Sequence, residues 1–431
     1  MSEFFPAKKS QPWTFEFYAS RFPLGVRQKL LRVRERMRRG YRCDTTTNSI
    51  FTKGEKASIR SRWTPSAPHV DRKQDRNIFA CADALKVKIG PALNAVAYEI
   101  ASILNFTHWL YFELADDDAQ IGAWYSRNFA RFGFEWALEI DCSRIDLTHS
   151  EFTLQLAIDI LRSYGLPKGV IKLLEEQLQC VRGASKHGVK VFRTPFLRTG
   201  VPNTTLVNTL VCMAAFVAGA MAAGGVPDRD FVYMGKGDDS FSFAKPSLVP
   251  SIMASFKKFG LIPKSKIGHP QWEHRFCSNA FYPVDKAVFK LRKSLRPGPH
   301  GAIFEEERVP TVSAEQQFWP APTLKALRSL FVSYSTVPTR RSKEYLYGVA
   351  LGLRSVCNKV PIFQAVLEQL ISELPHKYGK YFEMAQREAA LKYVKSSLGE
   401  HCITQRSWEF VSNQLHLPVA VLQMAQEDIL R

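Results

Sequence analysis

Residues 231–243 read FVYMGKGDDSFSF, an apolar segment that is interrupted by Gly-Lys-Gly and two adjacent aspartates and then resumes with alternating aromatics. Apolar residues on both sides of a glycine-containing break predict a β-hairpin with Asp238 and Asp239 at its turn. Gly and Asp are ordinary turn residues, so a solvated turn explains the pattern. Two like charges held together beside a core also suit a cation site. The choice between these interpretations depends on the rest of the chain.

A second strand with a terminal carboxylate is predicted at residues 132–141, FGFEWALEID. Its alternation places four apolar side chains on one face: Phe134, Trp136, Leu138 and Ile140. Asp141 therefore emerges on the opposite face, beside Glu139. Helical spacing follows in residues 152–165 and 206–225. The order of strand, helices and hairpin predicts an α+β fold with an antiparallel sheet backed by helices.

If the two strands are neighbours, Asp141 lies at the same sheet edge as Asp238 and Asp239. Hard divalent cations prefer oxygen ligands, and Mg²⁺ takes one or two protein carboxylates together with phosphate oxygens. A pair of such ions activates an attacking hydroxyl and stabilises a leaving pyrophosphate. A divalent-cation site at this edge is therefore a physical reason to keep Asp141 and Asp238 together.

The composition narrows the class of protein. The chain has 431 residues, and 59 Lys plus Arg against 40 Asp plus Glu leave a formal net charge of +19. Such an excess predicts a polyanionic partner, nucleic acid first and an anionic membrane surface second. The 45% hydrophobic fraction excludes a disordered chain and is enough for two or three domains or subdomains. A GxxxxGK[ST] loop is absent from the sequence, which argues against a helicase or kinase.

Two segments have alternative interpretations. Residues 206–225, LVNTLVCMAAFVAGAMAAGG, approach the ~20 residues of a membrane span. Asn208, Thr209 and the lack of a basic flank favour a buried core helix, with a membrane span as the alternative. Residues 26–42 predict an amphipathic helix whose arginines are either solvated or in contact with RNA. The N-terminal residues have no apolar core long enough for a signal peptide.

Several short motifs occur in a specific order along the chain. DCSRID (141–146), TGVPNTTLVNT (199–209) and GKGDDS (235–240) resemble motifs A, B and C of viral RNA-dependent RNA polymerases. The flanking segments also resemble that family: SIFTKGEK (49–56) and DRNIF (75–79) motif F, FGLIPKSK (259–266) motif D, and FCSNAF (276–281) motif E. The similarity is greatest to polymerases of positive-strand RNA viruses, in particular the tombusvirus-like and alphavirus-like groups. Each motif alone is a weak signal, whereas six in the correct order are specific.

The resemblance implies a right-hand fold of fingers, palm and thumb. The N-terminal segment and fingers would occupy residues 1–131, with motif F at 49–79. The palm, with motifs A to E, would occupy 132–284 and include a fingers insertion at about 166–198. A mainly helical thumb would occupy 285–431. The implied activity is RNA-directed RNA synthesis from NTPs by two-metal-ion nucleotidyl transfer, with release of pyrophosphate.

The resemblance also implies roles for single residues. Asp141 and Asp238 would hold two Mg²⁺ ions, for which Mn²⁺ is a candidate substitute, and Asp239 would be an auxiliary ligand or would tune their field. Asp146, Thr204 and Asn208 would sense the ribose 2′-hydroxyl, which separates RNA from DNA substrates. Thr204 and Asn208 are four residues apart, so a helix places both on one face. Thr199 and Gly200 would contact the nucleotide at the start of motif B. Family members usually have Ser-Gly there, and Thr199 keeps the hydroxyl.

The resemblance also implies roles for basic residues and for motif E, which would form a hairpin that contacts the primer or product strand. The residues that would neutralise the incoming triphosphate are Lys53, Lys56 and Arg76. Lys264 and Lys266 are both candidates for the general acid of motif D, and the sequence does not distinguish them. The residues expected to contact RNA are Arg60, Arg62, Phe276, Cys277 and Ser278. Cys277 is expected to be a packing residue of that hairpin rather than a nucleophile.

Two other functions and two other residue clusters also suit parts of the sequence. A reverse transcriptase shares the palm, but Asp146 and Asn208 argue against an enzyme that excludes the 2′-hydroxyl. A non-catalytic RNA-binding replication or capsid factor explains the charge and leaves the carboxylates unexplained. The acidic run at 116–118 predicts a solvated turn. His269, His274 and Cys277 form an incomplete zinc pattern without an evident fourth ligand.

Expected partners are an RNA template, the product strand, NTPs and other viral replication proteins. The expected location is the host cytoplasm, in membrane-associated replication complexes through partner proteins, or the interior of the virion.

Overall fold

The computed structural model describes most of the first 284 residues and separate parts of the remainder. The described residues are 10–45, 47–53, 58–59, 70–71, 76–114, 118–179, 181–185, 188, 190–193, 204–284, 292–298, 301–307, 317–323, 347, 350, 353–354, 357, 360–373 and 405–430.

The described residues form these α-helices: α1 (Phe15–Ser20), α2 (Leu24–Arg38), α3 (Asp83–Ile103), α4 (Asp118–Phe132), α5 (Ile145–Thr148), α6 (Glu151–Ser163), α7 (Lys168–Gln179), α8 (Thr204–Ala222), α9 (Val249–Lys258), α10 (Phe363–Glu373), α11 (Gln405–Leu415) and α12 (Val419–Leu430). They form these strands: β1 (Thr47–Lys53), β2 (Ser58–Ile59), β3 (Val70–Asp71), β4 (Arg76–Ala80), β5 (Leu110–Phe112), β6 (Ala137–Cys142), β7 (Val181–Ser185), β8 (Lys190–Arg193), β9 (Phe231–Lys236), β10 (Asp239–Ala244), β11 (Pro263–Ile267), β12 (Arg275–Phe276), β13 (Asn279–Val284), β14 (Arg292–Gly298), β15 (Gly301–Glu307) and β16 (Gln317–Pro322).

A five-stranded sheet forms the centre of the molecule, with the strand order β11-β6-β10-β9-β5. β6 pairs antiparallel with both β10 and β11, and β9 pairs antiparallel with β10. Only β5 is parallel to its neighbour β9. The α+β prediction is therefore confirmed, and the two strands that carry the acidic residues are adjacent.

The alternating side chains of this sheet enter two separate cores. On β9, Phe231 and Tyr233 belong to one buried cluster, whereas Val232 and Met234 belong to the other. Because successive side chains of a strand point to opposite faces, each face of the sheet is covered. The first core contains helices α3, α6, α8 and α9. The second is aromatic, and in it Tyr125 stacks on Phe281 with ring centroids 3.8 Å apart.

The strand predicted at residues 132–141 is shorter than expected. Residues 134–136 form a 3₁₀ turn, and β6 begins only at Ala137. Gly133 precedes this turn with a φ of +71° and follows directly on helix α4, so the chain reverses before it extends. The placement of Phe134 and Trp136 on the strand face was therefore wrong. Leu138 and Ile140 point into the first core as predicted.

Helix α8 corresponds to the apolar segment of the sequence. It is the single described helix long and apolar enough to cross a membrane, and 78% of its most apolar 18-residue window is buried inside the protein. A Cβ atom on Gly219 would lie 2.6 Å from the Cα atom of Ile252, so the glycine permits close packing of α8 on α9. The burial agrees with the interpretation as a core helix of the sheet.

Smaller sheets surround the centre. β1 lies between β4 and β7 in a four-stranded sheet with the order β4-β1-β7-β8. β13 pairs with β12 and β16, and β14 pairs with β15. After residue 285 the described residues form strands β14, β15 and β16 as well as helices α10, α11 and α12, and the sequence analysis did not predict these strands. β16 is a strand because it completes the sheet of β13 and buries Phe318 and Trp319, a non-local pairing that the local pattern does not contain.

The basic N-terminal helix forms where the sequence predicted it, as α2. Of its predicted apolar stripe, Leu30 is fully buried, whereas Val26 is 41% exposed. The first turns of α2 therefore extend into solvent.

Candidate active site

The three predicted metal ligands lie at one end of the central sheet. Asp141 of β6 is the direct cross-strand partner of Asp239 in β10. Asp238 occupies the two-residue turn between β9 and β10 with Gly237, whose φ is +67°. Asp141 and Asp238 are exposed and Asp239 is half-buried. The fold therefore brings together carboxylates that are far apart in the sequence.

The acidic cluster carries an electrostatic cost. Burial raises the pKa of the Asp239 carboxyl to about 6, and the charges of Asp238 and Asp141 contribute in the same direction. A cation between these groups would relieve that repulsion. The donor set of three carboxylates and its excess negative charge fit a hard divalent ion. Within the described ranges, however, no three His, Cys, Asp or Glu side chains already converge as a metal-ligand cluster.

One lysine of the hairpin counteracts this charge from inside the protein. Lys236 is the cross-strand partner of Asp239 and forms an ion pair with Glu113, which is buried. Glu113 raises the pKa of Lys236 against the effect of burial, so the ammonium stays charged. Lys236 in turn acts to lower the pKa of Asp239. The sequence analysis did not single out Lys236 or Glu113.

The two candidate lysines of motif D lie on the strand at the other side of β6. Lys264 is the cross-strand partner of Asp141, and Lys266 is the partner of Glu139. Both are exposed. Lys264 is therefore the lysine beside the acidic cluster, which the sequence could not decide.

Asp146 and Asn208 are in direct contact. The Nδ2 group of Asn208 donates a hydrogen bond of 3.0 Å to Oδ1 of Asp146. The carboxamide oxygen of Asn208 lies 2.8 Å from Nε2 of His149. Thr204 begins helix α8 one turn before Asn208, as the four-residue spacing predicted. His149 was not identified from the sequence, although its position three residues after Asp146 was visible there.

A second contact joins helix α8 to the acidic turn. The backbone N–H of Gly237 donates a 2.7 Å hydrogen bond to Oγ1 of Thr209. The same hydroxyl donates to the carbonyl oxygen of Thr205 at 2.7 Å. Thr209 is fully buried. The sequence analysis did not predict this role, because a threonine in an apolar helix is usually interpreted as a packing residue.

The motif E segment forms a hairpin whose tip touches the acidic cluster. Phe276 pairs with Asn279, and the turn residues Cys277 and Ser278 have φ values of +50° and +66°. The Cys277 thiol and the Asp239 carboxyl share a hydrogen bond that lowers the pKa of Asp239. Burial raises the pKa of Cys277 well above its ordinary value, so the thiol is not an activated nucleophile.

This hairpin is also attached to the strand of Asp141. The Arg275 N–H donates a 2.6 Å hydrogen bond to Oε1 of Glu139. Burial raises the pKa of Glu139, and this hydrogen bond acts against that shift. Motif E is thereby held beside β6.

Of the remaining predicted site residues, two lie on described strands and five do not lie in the described part of the chain. Lys53 and Arg76 are cross-strand partners in β1 and β4. Five predicted site residues lie outside the described residues: Lys56, Arg60, Arg62, Thr199 and Gly200.

The incomplete zinc pattern and the acidic run of the sequence analysis have structural explanations. His274 has both ring nitrogens engaged at 2.7 Å, one with the Tyr125 hydroxyl and one with the carbonyl oxygen of His269. It is therefore a structural residue of the aromatic core, and neither ring nitrogen is left free to bind zinc. Of the acidic run at 116–118, Asp118 begins helix α4 and the other two residues lie outside the described part of the chain.

Comparisons with known proteins point to one family. A family model described as RNA dependent RNA polymerase matches residues 56–285. This range includes β6, α8 and the hairpin of β9 and β10. No curated protein matches the chain.

Proposed function

The chain belongs to the RNA-dependent RNA polymerase family and is a nucleotidyltransferase of viral RNA replication, and from this premise we propose a two-metal mechanism at the end of the central sheet. In this mechanism the enzyme copies a viral RNA genome from NTPs and releases pyrophosphate. The observation that carries the proposal is the cross-strand pairing of Asp141 with Asp239 beside the turn that holds Asp238.

Asp141, Asp238 and Asp239 would hold the cations. Bound Mg²⁺ supplies activation of the attacking hydroxyl and neutralisation of the leaving pyrophosphate. The raised pKa of Asp239 supports this assignment, because the cluster lacks a full complement of positive charge. Lys236 compensates only part of the charge from the protein side.

Lys264 is our candidate for the general acid that protonates the leaving pyrophosphate. It lies opposite Asp141, whereas Lys266 lies one side-chain repeat further along the strand. A strand advances ~3.3 Å per residue, so Lys266 is about 7 Å further from the acidic end. Lys53 and Arg76 would neutralise the triphosphate, and their pairing in β1 and β4 supports a shared role.

Asp146, Asn208 and Thr204 would select the ribose. The direct hydrogen bond between Asn208 and Asp146 supports a joint role, since a 2′-hydroxyl can both donate and accept. A reverse transcriptase would have to exclude that hydroxyl. Use of NTPs in preference to dNTPs is therefore part of the proposal.

The right-hand description is proposed on the same basis. The palm would contain β6, the hairpin and the motif E strands, within residues 132–284. The fingers would combine residues 1–131 with the insertion at about 166–198, and the sheet β4-β1-β7-β8 supports this because it joins strands from both. Residues 285–431 would form the thumb. Within the positive-strand viruses, we assign the chain to the tombusvirus-like or alphavirus-like polymerases on its motifs.

RNA template, product strand and NTPs are the substrates that a polymerase implies. The +19 net charge supports RNA binding. Arg60, Arg62 and the hairpin residues Phe276, Cys277 and Ser278 are proposed contacts of the RNA. We further propose that the enzyme acts in the host cytoplasm, in complexes with other replication proteins at membranes, or inside the virion.

The experiment is labelled NTP incorporation on a defined RNA template, with and without primer, in the presence of Mg²⁺ or Mn²⁺. Wild type is expected to make a template-length product, and Asp141→Asn and Asp238→Asn to make none. Asp159→Asn, an exposed change on helix α6, is the matched control and keeps activity. Equal incorporation by wild type and Asp238→Asn would defeat the assignment.

The same preparations test the alternative functions. A reverse transcriptase would incorporate dNTPs better than NTPs. A non-catalytic RNA-binding factor would show salt-sensitive RNA binding and no incorporation by any variant.

A further inference from the structure

The carboxamide of Asn208 is held at both ends. Its Nδ2 group donates to Asp146, and its Oδ1 atom lies 2.8 Å from Nε2 of His149. Asn208 and His149 are each 4% exposed, so water does not substitute readily for either partner. The second N–H of the carboxamide takes part in neither bond, and these two hydrogen bonds fix the direction in which it points.

The chemistry of these groups determines where the protons lie. A carboxamide oxygen only accepts hydrogen bonds, so Nε2 of His149 must carry the proton. In a neutral imidazole the other nitrogen, Nδ1, then carries no proton, and it lies 3.2 Å from Oγ1 of Thr153, whose hydroxyl donates to the carbonyl oxygen of Ser150. Burial lowers the pKa of His149, which agrees with a neutral ring. The hydrogen bond to Asn208 thus defines the tautomer, and Thr153 is in contact with the other side of the ring.

The far side of His149 is attached to a rigid element. Thr153 and Ser150 form a capping box at the start of helix α6, in which each side chain bonds the backbone of the other. Thr153 is fully buried. A continuous series of contacts therefore leads from a helix cap through His149 to Asn208 and ends at Asp146.

We propose that His149 is a positioning residue for ribose selection, which acts by orienting the carboxamide of Asn208 toward Asp146. The proposal rests on the proposed function of Asp146 and Asn208 in recognising the ribose. His149 itself touches neither nucleotide nor metal in this account. Without its N–H, the carboxamide would have a single anchor and a buried oxygen without its donor.

The test compares two substitutions of His149 by single-nucleotide incorporation of ATP and dATP. His149→Leu removes the donor, and we expect the ratio of kcat/KM for ATP over dATP to fall about tenfold, as for loss of one hydrogen bond. His149→Gln can present an amide N–H near the position of Nε2 and is expected to restore most of the ratio. Should His149→Leu fail to fold, His149→Phe gives the same comparison with a ring of similar size.

Two further measurements separate positioning from a general loss of stability. In an Asn208→Ala background, His149→Leu is expected to leave the ratio unchanged, because the group it orients is absent. His274→Gln changes another buried histidine, one in the aromatic core, and is expected to lower the melting temperature without changing the ratio.

Three results overturn the proposal. They are an unchanged ratio in His149→Leu, no difference between the Leu and Gln variants, and an equal fall in the Asn208→Ala background. If wild type incorporates neither nucleotide, the proposed function fails first and this inference fails with it. An active wild type with an unchanged ratio in the variants refutes only the role of His149.

Discussion

Oγ1 of Thr209 accepts a 2.7 Å hydrogen bond from the backbone N–H of Gly237 and so joins the core helix α8 to the acidic turn. The turn needs such a support because Gly237 has a φ of +67° and glycine is the least restricted residue of the chain. Thr209 is fully buried, and its hydroxyl is held in turn by the carbonyl of Thr205. The position of Asp238 thus depends on a helix that contributes no carboxylate.

We expect Thr209→Val to lower kcat for nucleotide incorporation about tenfold, because a buried N–H without its acceptor displaces the turn. Thr209→Ser keeps the hydroxyl and should retain most of the rate. Ser251→Ala removes a hydrogen bond to the other end of the same helix, at Gly219, and serves as the control. A rate in Thr209→Val equal to that of Thr209→Ser would show that the contact does not position the turn.

The lysines of β11 make a second prediction, since Lys264 faces Asp141 and Lys266 faces Glu139. Lys264→Met should lower the single-turnover rate about 100-fold, as expected for the loss of a general acid. Lys266→Met should have a much smaller effect. Rapid-quench measurement of both variants decides the matter, and equal losses would mean that neither lysine has a special role.

The turn of motif E should be strained. Ser278 has a φ of +66°, which costs a residue with a side chain roughly 1 kcal/mol. Ser278→Gly removes that cost but makes the unfolded chain more flexible, so it should raise the free energy of unfolding by at most about 0.5 kcal/mol. Ser265→Gly, at an exposed position of β11, should lower it instead, by about 0.5–1 kcal/mol. Chemical denaturation of both variants gives the sign of each change in unfolding free energy relative to wild type. A destabilised Ser278→Gly would refute the strain.

The fourth prediction concerns stability in acid. Burial holds the pKa of His274 at about 4 in the folded protein, against 6.5 for an ordinary histidine. Between these values the unfolded chain binds a proton that the folded chain does not, so unfolding becomes easier as the pH falls. This residue alone should cost about 2 kcal/mol between pH 7 and pH 5.

Replacement of that histidine isolates its contribution. The difference in unfolding free energy between pH 7 and pH 5 should be smaller in His274→Gln than in wild type. Ser265→Ala, at an exposed position of β11, removes no titratable group and is the control; it should keep the wild-type pH dependence. If His274→Gln shows the full wild-type loss, burial of this ring is not the cause.

Much of the fold could be predicted because its signals are local. The hairpin of β9 and β10 follows from apolar alternation around a glycine-containing turn. Helices α6 and α8 follow from the helical spacing of residues 152–165 and 206–225. Glu139 and Asp141 lie on the opposite face of β6 from Leu138 and Ile140, which point into the first core.

The two errors in the predicted elements have different physical causes. Residues 134–136 alternate as a strand does, yet they turn because Gly133 reverses the chain after α4. β16 was missed because its strand character comes from pairing with β13. At β16, contacts with distant residues decide between conformations that the local pattern leaves nearly equal.

By itself the sequence determined the kinds of groups and their order: an aspartate at a strand end, a Thr-and-Asn helix, two aspartates at a turn and a lysine strand. Only the tertiary structure decided which of these groups touch and what holds them. Thr209 lies 28 residues from Gly237, and His149 lies 59 residues from Asn208. Contacts across such separations exist because α8 packs on the central sheet, and hydrogen bonds of this length require donor and acceptor to be placed by packing rather than by local sequence.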